Sequence, residues 1–190
     1  GANLAKMDTA DIAALTTAAI AALKTAQVSS LTTDQVVALT TAQASKLSSA
    51  QLVSMTTQQV AAMESVDLVS LTTAQVSSMT SAQIAALTTY QISKLLTAQI
   101  SALSTQAIAA IETDDLAALT TAQVAAMTTN QIKALATNQV VALTTAQTAS
   151  LKTAQLLAFS TNQLRALETT DFAALTTAQL VVLLTSQISS

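Results

Sequence analysis

The stretch Leu119-Thr-Thr-Ala-Gln-Val-Ala-Ala126 recurs along the chain as an eight-residue repeat, and this period decides the architecture. Residues 7–190 hold 23 consecutive copies (octads) without insertion or deletion. Counted from the large apolar residue, position 1 is Leu in 16 copies and Met in five, and position 5 is Gln in 17. An eight-residue unit cannot bury its own apolar face, so neighbouring units must stack. We predict a single array over 7–190, preceded at 1–6 by an expression scar, Gly1-Ala2, and a partial repeat.

Three backbone conformations compete to explain this period. In a continuous α-helix, eight residues advance about 80° beyond two full turns, so position 1 would drift around the helix and hold no face. A coiled-coil seam needs repeats of seven or eleven residues. A β-solenoid would put positions 1 and 6 on opposite faces of a strand, and the octad is rich in Ala and Gln and lacks turn residues. The continuous helix is therefore excluded and the β-solenoid disfavoured.

One short helix per octad fits the pattern best. Position 3 is Thr in 20 copies and Ser in three, which predicts that its hydroxyl caps the helix N-terminus. Position 6 and the next position 1 then lie three residues apart on one face, and the Thr-Thr pair marks the break between helices. We expect an all-α solenoid or superhelix with positions 1 and 6 inside. Gln at position 5 is expected to satisfy backbone groups at helix ends, as a ladder along the stack.

The composition argues against several classes of function. Charged residues make up 9% of the chain, and it has no Cys, His, Trp or Pro and one Gly. The usual zinc ligands, the commonest general base and Gly-rich phosphate loops are missing, so we expect no enzyme, no small-molecule substrate and no cofactor. Seven scattered basic residues form no stripe for nucleic acid. No apolar run reaches the length of a membrane span.

A second period appears in the acidic residues. Eight of the ten carboxylates form pairs at positions 2 and 5 of four octads: Asp8 with Asp11, Glu64 with Asp67, Glu112 with Asp115, and Glu168 with Asp171. The pairs recur after seven, six and seven octads, a mean of about 6.7 octads. Two compatible interpretations stay open. One superhelical turn contains about 6.7 octads, which would place the position-5 aspartates on one side, one turn apart; or blocks of six or seven octads were duplicated.

The acid pairs are candidate Ca²⁺ ligands, because aligned carboxylates supply the oxygen donors that Ca²⁺ prefers. Asp114 adds a third carboxylate beside one of the pairs. The candidate metal residues are Asp8, Asp11, Glu64, Asp67, Glu112, Asp114, Asp115, Glu168 and Asp171. In the competing interpretation, acids near a helix N-terminus are stabilised by the helix dipole and keep the array soluble. No EF-hand calcium loop is present.

Other residue choices have simple structural interpretations. All five Met residues stand at position 1 and are expected to fill the core. Tyr90, at position 4, is expected to be exposed or to fill a gap. The Thr-Thr pairs would suit an ice-binding surface if they formed a flat exposed face, although capping and turn formation explain them as well.

The phrases Leu31-Thr-Thr-Asp-Gln-Val-Val-Ala38 and Leu119-Thr-Thr-Ala-Gln-Val-Ala-Ala126 resemble the Leu-Thr-Thr-Ala-Gln octapeptide arrays of very large bacterial proteins described as surface, secreted or adhesin-like. The resemblance covers residues 7–190 and implies an extracellular or cell-surface location. The expected role is a stalk, spacer or scaffold; the alternative is a binding module for a protein, glycan or cation through the acidic side. Because the array shows no distinctive capping repeat, end-to-end self-association is also expected.

Overall fold

The computed structural model describes residues 4–186, and all regular structure in this range is helical. A 3₁₀-helix at Leu4–Lys6 precedes 22 α-helices, each of which begins at position 3 of an octad. These are α1 Thr9–Ala14, α2 Thr17–Ala21, α3 Thr25–Val28, α4 Thr33–Val37, α5 Thr41–Ala44, α6 Ser49–Ser54, α7 Thr57–Ala62, α8 Ser65–Ser70, α9 Thr73–Ser78, α10 Ser81–Ala85, α11 Thr89–Lys94, α12 Thr97–Ala102, α13 Thr105–Ala109, α14 Thr113–Ala117, α15 Thr121–Ala126, α16 Thr129–Ala134, α17 Thr137–Val141, α18 Thr145–Ala149, α19 Thr153–Leu156, α20 Thr161–Ala166, α21 Thr169–Ala173 and α22 Thr177–Ser186. The predicted all-α array of short helices is confirmed.

The last helix departs from the one-octad pattern. Helix α22 runs through Leu183 to Ser186 and so crosses an octad boundary at which the other helices end. At the other end, Leu4 is 5% exposed and joins the core in the place of a position-6 residue, as a partial repeat would. The proposed scar and the end of the last octad, residues 1–3 and 187–190, lie outside the described range.

The N-cap of each helix lies one residue earlier than predicted. Position 2 is the cap, and position 3 is the first helical residue. At α15, Thr120 Oγ1 accepts a hydrogen bond from the N–H of Gln123 at 3.2 Å, and Gln123 Oε1 accepts one from the N–H of Thr120 at 2.7 Å. This reciprocal pair is a capping box, which requires the hydroxyl three residues before the Gln. The predicted cap at position 3 was wrong, because the Gln at position 5 forms the reciprocal pair with the residue three positions before it, which is position 2.

The helices end without a glycine. At the end of α15, Met127 leaves the helix with φ −59° and ψ 143°, and Thr128 continues in extended conformation with φ −76° and ψ 160°. The N–H of Met127 still donates to the carbonyl of Val124 at 3.1 Å. Among the described residues no φ is positive. Two extended residues, positions 1 and 2, therefore replace the left-handed glycine that commonly ends a helix.

Positions 1 and 6 form the core, as predicted. Position-6 side chains such as Ile100 and Ile132 are completely buried, and position-1 side chains such as Leu103 and Met127 are nearly so. The other described Met residues also fill position 1 of the core, with Met7 partly buried at its edge. The buried side chains form one cluster that extends from Leu4 to Leu183.

One superhelical turn contains between three and four octads. Each helix packs against the third helix along the chain, from α1 with α4 to α19 with α22. The glutamines at position 5 donate to carbonyls of the preceding turn that lie 28 to 31 residues earlier, and 28 residues are three and a half octads. The predicted turn of about 6.7 octads was therefore wrong by about a factor of two, because the acidic pairs recur after roughly every second turn. Aspartates seven octads apart return to the same side of the superhelix after about two turns, and the six-octad interval falls one octad short.

Candidate functional site

The functional groups of this fold lie where the glutamine at position 5 meets the preceding turn. Gln83, for example, donates through Nε2 to the carbonyls of Leu52 and Met55, both at 2.9 Å. Its Oε1 accepts from the N–H of Thr80 at 3.0 Å. One buried amide thereby caps its own helix and satisfies carbonyls where the helix four octads earlier ends.

This arrangement recurs in fifteen octads, and we call it the glutamine ladder. In each, Nε2 reaches the position-1 carbonyl of the preceding turn. It also reaches a second carbonyl, at position 6 or 7 of the octad before that one. The members of the ladder are Gln35, Gln43, Gln51, Gln59, Gln75, Gln83, Gln91, Gln99, Gln123, Gln131, Gln139, Gln147, Gln155, Gln163 and Gln179. All are at most 6% exposed, so an unpaired amide or carbonyl here would be costly. The predicted role of position 5 is confirmed.

The ladder is interrupted at three aspartates and one alanine within the described turns. Asp67, Ala107, Asp115 and Asp171 occupy position 5 and lack the amide nitrogen. Between residues 4 and 186, no side chain donates to the position-1 carbonyls that face them from the preceding turn, those of Leu39, Met79, Leu87 and Leu143. These four places are chemically unlike the rest of the array.

Asp67 has an unusual electrostatic environment. Burial raises the pKa of its carboxyl, the hydrogen bond that Thr41 Oγ1 donates to Oδ1 at 2.8 Å lowers it, and the nearby charge of Glu64 raises it again. The net shift is upward. Asp67 is 2% exposed, so its carboxyl has little direct contact with water.

Asp115 and Asp171 are also buried, at 5% and 2% exposure. Neither carboxylate takes part in a hydrogen bond with the described part of the chain. Asp11 differs because it is exposed, and its N–H donates to Asp8 Oδ1 at 2.9 Å as part of a helix cap. The four position-5 aspartates therefore fall into one exposed and three buried members.

The acids at position 2 are exposed and form no caps beyond that of Asp8. Glu64, Glu112 and Glu168 are exposed N-cap residues without a side-chain cap bond, and Asp114 is exposed in the first turn of α14. Across residues 4–186, no group of three or more His, Cys, Asp and Glu side chains is placed to hold a metal ion. The predicted third carboxylate at Asp114 therefore does not complete such a group with Glu112 and Asp115.

Two further places were not predicted from the sequence as possible sites. Thr148 stands at position 6, is completely buried, and its hydroxyl has no hydrogen-bond partner. On the surface, Ser65, Val66, Val69, Tyr90 and Lys94 line a shallow groove between α8 and α11. Tyr90 is 63% exposed, as one of its predicted alternatives required, and Lys94 Nζ lies 4.9 Å from the centre of its ring. In the sequence Thr148 is visible as the one hydroxyl-bearing residue at position 6.

No helix within the described range is both long and apolar enough to cross a bilayer. A search of the curated proteins finds no match to the chain.

A family model for the ALTTAQ repeat matches the chain three times, at residues 4–41, 60–97 and 108–145. These matches begin seven residues before Asp11, Asp67 and Asp115, so an acidic octad occupies the same place in each of them. Together they cover more than half of the 190 residues. The chain belongs to the ALTTAQ repeat family.

Proposed function

We propose that this array is a non-catalytic structural spacer, which acts as a stalk or scaffold that holds other parts of a larger bacterial protein apart. The observation that carries the proposal is the glutamine ladder, which joins successive turns with the same hydrogen bonds from the Met7 carbonyl to Gln179. Because each helix packs mainly against its third neighbour, the array grows along one axis as octads are added. Such a fold sets the distance between the parts of the protein attached at its two ends.

The dimensions suit this role. Packed helices lie about 9 Å apart, so 22 helices at about three and a half per turn give a rod roughly 55–60 Å long. One apolar cluster extends along it, and extended breaks without glycine leave few flexible joints. The side-chain chemistry adds no support for catalysis, because the chain has neither His nor Cys. The bacterial surface setting rests on the resemblance of the octads alone.

The spacer proposal predicts that length can be added in units of turns. We would duplicate residues 119–174, which make up seven octads, directly after Ala174. Small-angle X-ray scattering should show a maximum dimension increased by about 18 Å and an unchanged cross-section, since two turns are added. A flexible Gly/Ser insert of equal length at the same place is the control, and it should leave the helical circular dichroism signal unchanged. A duplication that thickens the particle without lengthening it would contradict the proposal.

A further inference from the structure

The three buried aspartates replace a hydrogen-bond donor with acceptors. In fifteen octads the position-5 Nε2 stands between its own helix and two carbonyls of the preceding turn. At Asp67, Asp115 and Asp171 the side chain is one methylene shorter and, when ionised, carries only acceptor oxygens. The opposing carbonyls of Leu39, Leu87 and Leu143 gain no side-chain donor in their place. Negative oxygen atoms therefore stand on both sides of each position.

Such an arrangement is unfavourable unless something positive lies between the two sides. A buried carboxylate without a partner costs several kcal/mol or neutralises itself. Asp115 and Asp171 are at least nine-tenths buried as whole residues, and their carboxylates, whose oxygens keep a small contact with solvent, have no hydrogen-bond partner within the described turns. They occupy position 5, from which the ladder glutamines reach the position-1 carbonyls of the preceding turn.

A further oxygen atom lies beside Asp67. Thr41 Oγ1, 26 residues earlier in the chain, donates to Asp67 Oδ1 at 2.8 Å; Thr89 and Thr145 occupy the equivalent position before Asp115 and Asp171 without a hydrogen bond to them. Every octad with Asp at position 5 also carries an acid at position 2, three residues earlier in the chain. The acidic octad recurs at one place in each of the three family matches, which contain Asp11, Asp67 and Asp115, and Asp171 repeats it beyond them.

We propose that Asp67, Asp115 and Asp171 each hold a calcium ion that bridges two superhelical turns in place of the glutamine amide. The ligands would be the aspartate carboxylate, the position-1 and position-6 carbonyls of the preceding turn and the position-3 Thr hydroxyl, completed by the position-2 glutamate and water. This donor set consists of oxygen atoms and meets the six to eight ligands that Ca²⁺ takes. The paired carboxylates balance its charge. The smaller Mg²⁺ demands stricter octahedral geometry and gives up its water reluctantly, so it should bind less well.

The test compares the native chain with the triple variant Asp67→Gln/Asp115→Gln/Asp171→Gln. The variant completes the ladder with the residue that the other octads use, so it should fold and should be the more stable protein in EDTA. For the native chain we expect heat of Ca²⁺ binding by calorimetry. We also expect a thermal midpoint raised by about 5 °C in millimolar Ca²⁺ and much less in Mg²⁺. The triple variant should show neither effect, and the control Asp34→Ala, an exposed position-4 acid, should behave like the native chain.

The single Tyr provides a second readout. Helix α11, which carries Tyr90, packs against α8 with Asp67 and α14 with Asp115. Terbium, a luminescent substitute for Ca²⁺, should therefore emit when Tyr90 is excited, and excess Ca²⁺ should quench this emission. Tyr90→Phe should abolish the emission and leave the heat of Ca²⁺ binding unchanged. Absence of both heat and midpoint shift in native protein at saturating Ca²⁺, or equal Ca²⁺ binding by the triple variant, would overturn the proposal and leave water as the bridge.

Discussion

A single residue type, the glutamine at position 5, performs two functions that proteins usually divide between residues. Its Oε1 closes the capping box of its own helix, and its Nε2 satisfies carbonyls one turn earlier. The length of the Gln side chain matters because it must reach both partners. Asp and Ala at this position give up both contacts in the octads that carry them, and Asn would be expected to do the same.

Gln59 gives the sharpest test of the ladder because an exposed Gln stands next to it. Gln59 Nε2 donates to Val28 O at 3.1 Å and to Leu31 O at 2.6 Å, and its Oε1 accepts from Thr56 N. Gln59→Ala should lower the free energy of unfolding by about 2–4 kcal/mol, because it leaves buried backbone groups without partners. The matched control Gln58→Ala, at exposed position 4, should change it by less than about 0.5 kcal/mol. Urea denaturation measures the free energy of unfolding of both variants, and equal losses in the two would show that the ladder is dispensable.

Thr148 is a core position at which a substitution should stabilise the protein. Its hydroxyl is buried without a partner at a position where Val, Ile or Leu normally stands. Thr148→Val should raise the free energy of unfolding by about 1–2 kcal/mol, since the unpaired polar group is removed at nearly constant volume. The reciprocal change Val140→Thr, one octad earlier and also completely buried, should lower it by a similar amount. Thermal denaturation measures both, and a native chain more stable than Thr148→Val would mean that the hydroxyl has a partner after all.

At the scale of the element, a helix of four to six residues would not persist alone in water. Its stability comes from the cap at one end, the ladder at both ends and the two core side chains. The sequence was sufficient to predict the element, because a period of eight holds no face of a continuous helix and positions 1 and 6 would lie on opposite faces of a strand. The position of the cap was not predictable from strict retention of position 3. Of the described position-3 hydroxyls only those of Thr41 and Thr105 donate side-chain hydrogen bonds, and nothing in the structure explains the strictness.

Adjacent threonines allow the cap to be located by mutation. Thr128 Oγ1 accepts from the N–H of Gln131 at 3.2 Å, whereas Thr129 is exposed as the first helical residue and its hydroxyl makes no hydrogen bond within the described turns. Thr128→Ala should therefore lower the free energy of unfolding by about 0.5–2 kcal/mol. Thr129→Ala should have an effect near zero or slightly stabilising, because Ala has the higher helix propensity. Both are measured by chemical denaturation; a larger loss at Thr129 would restore the cap to position 3.

At the scale of the whole molecule, the sequence predicted the core, the helical class and the ladder, but not the number of octads per turn. The interval between acidic octads corresponds to about two superhelical turns and not to one. Turn size depends on the angle at the extended break between Met127 and Thr128 and its equivalents, and no residue type marks that angle. The buried state of Asp67, Asp115 and Asp171, in contrast to exposed Asp11, likewise depends on a preceding turn whose register was not predictable from the chain alone.

An array held together by equivalent contacts should tolerate loss of a whole unit and not of half a unit. Deletion of residues 119–126, one octad, passes Gln131, Gln139 and Gln147 to the position-1 carbonyl one octad earlier, because every octad offers one, and later glutamines keep theirs. We expect a cooperative helical protein whose thermal midpoint lies within a few degrees of that of the native chain.

Deletion of residues 119–122 instead brings position 5 next to position 8 of the preceding octad. One octad then loses its position-1 Leu, its cap and the spacing from which its glutamine reaches the turn below. This shorter deletion should lower the midpoint far more, although it removes half as many residues, and circular dichroism melting compares the two. Equal tolerance of both deletions would mean that register between turns is not what holds the superhelix together.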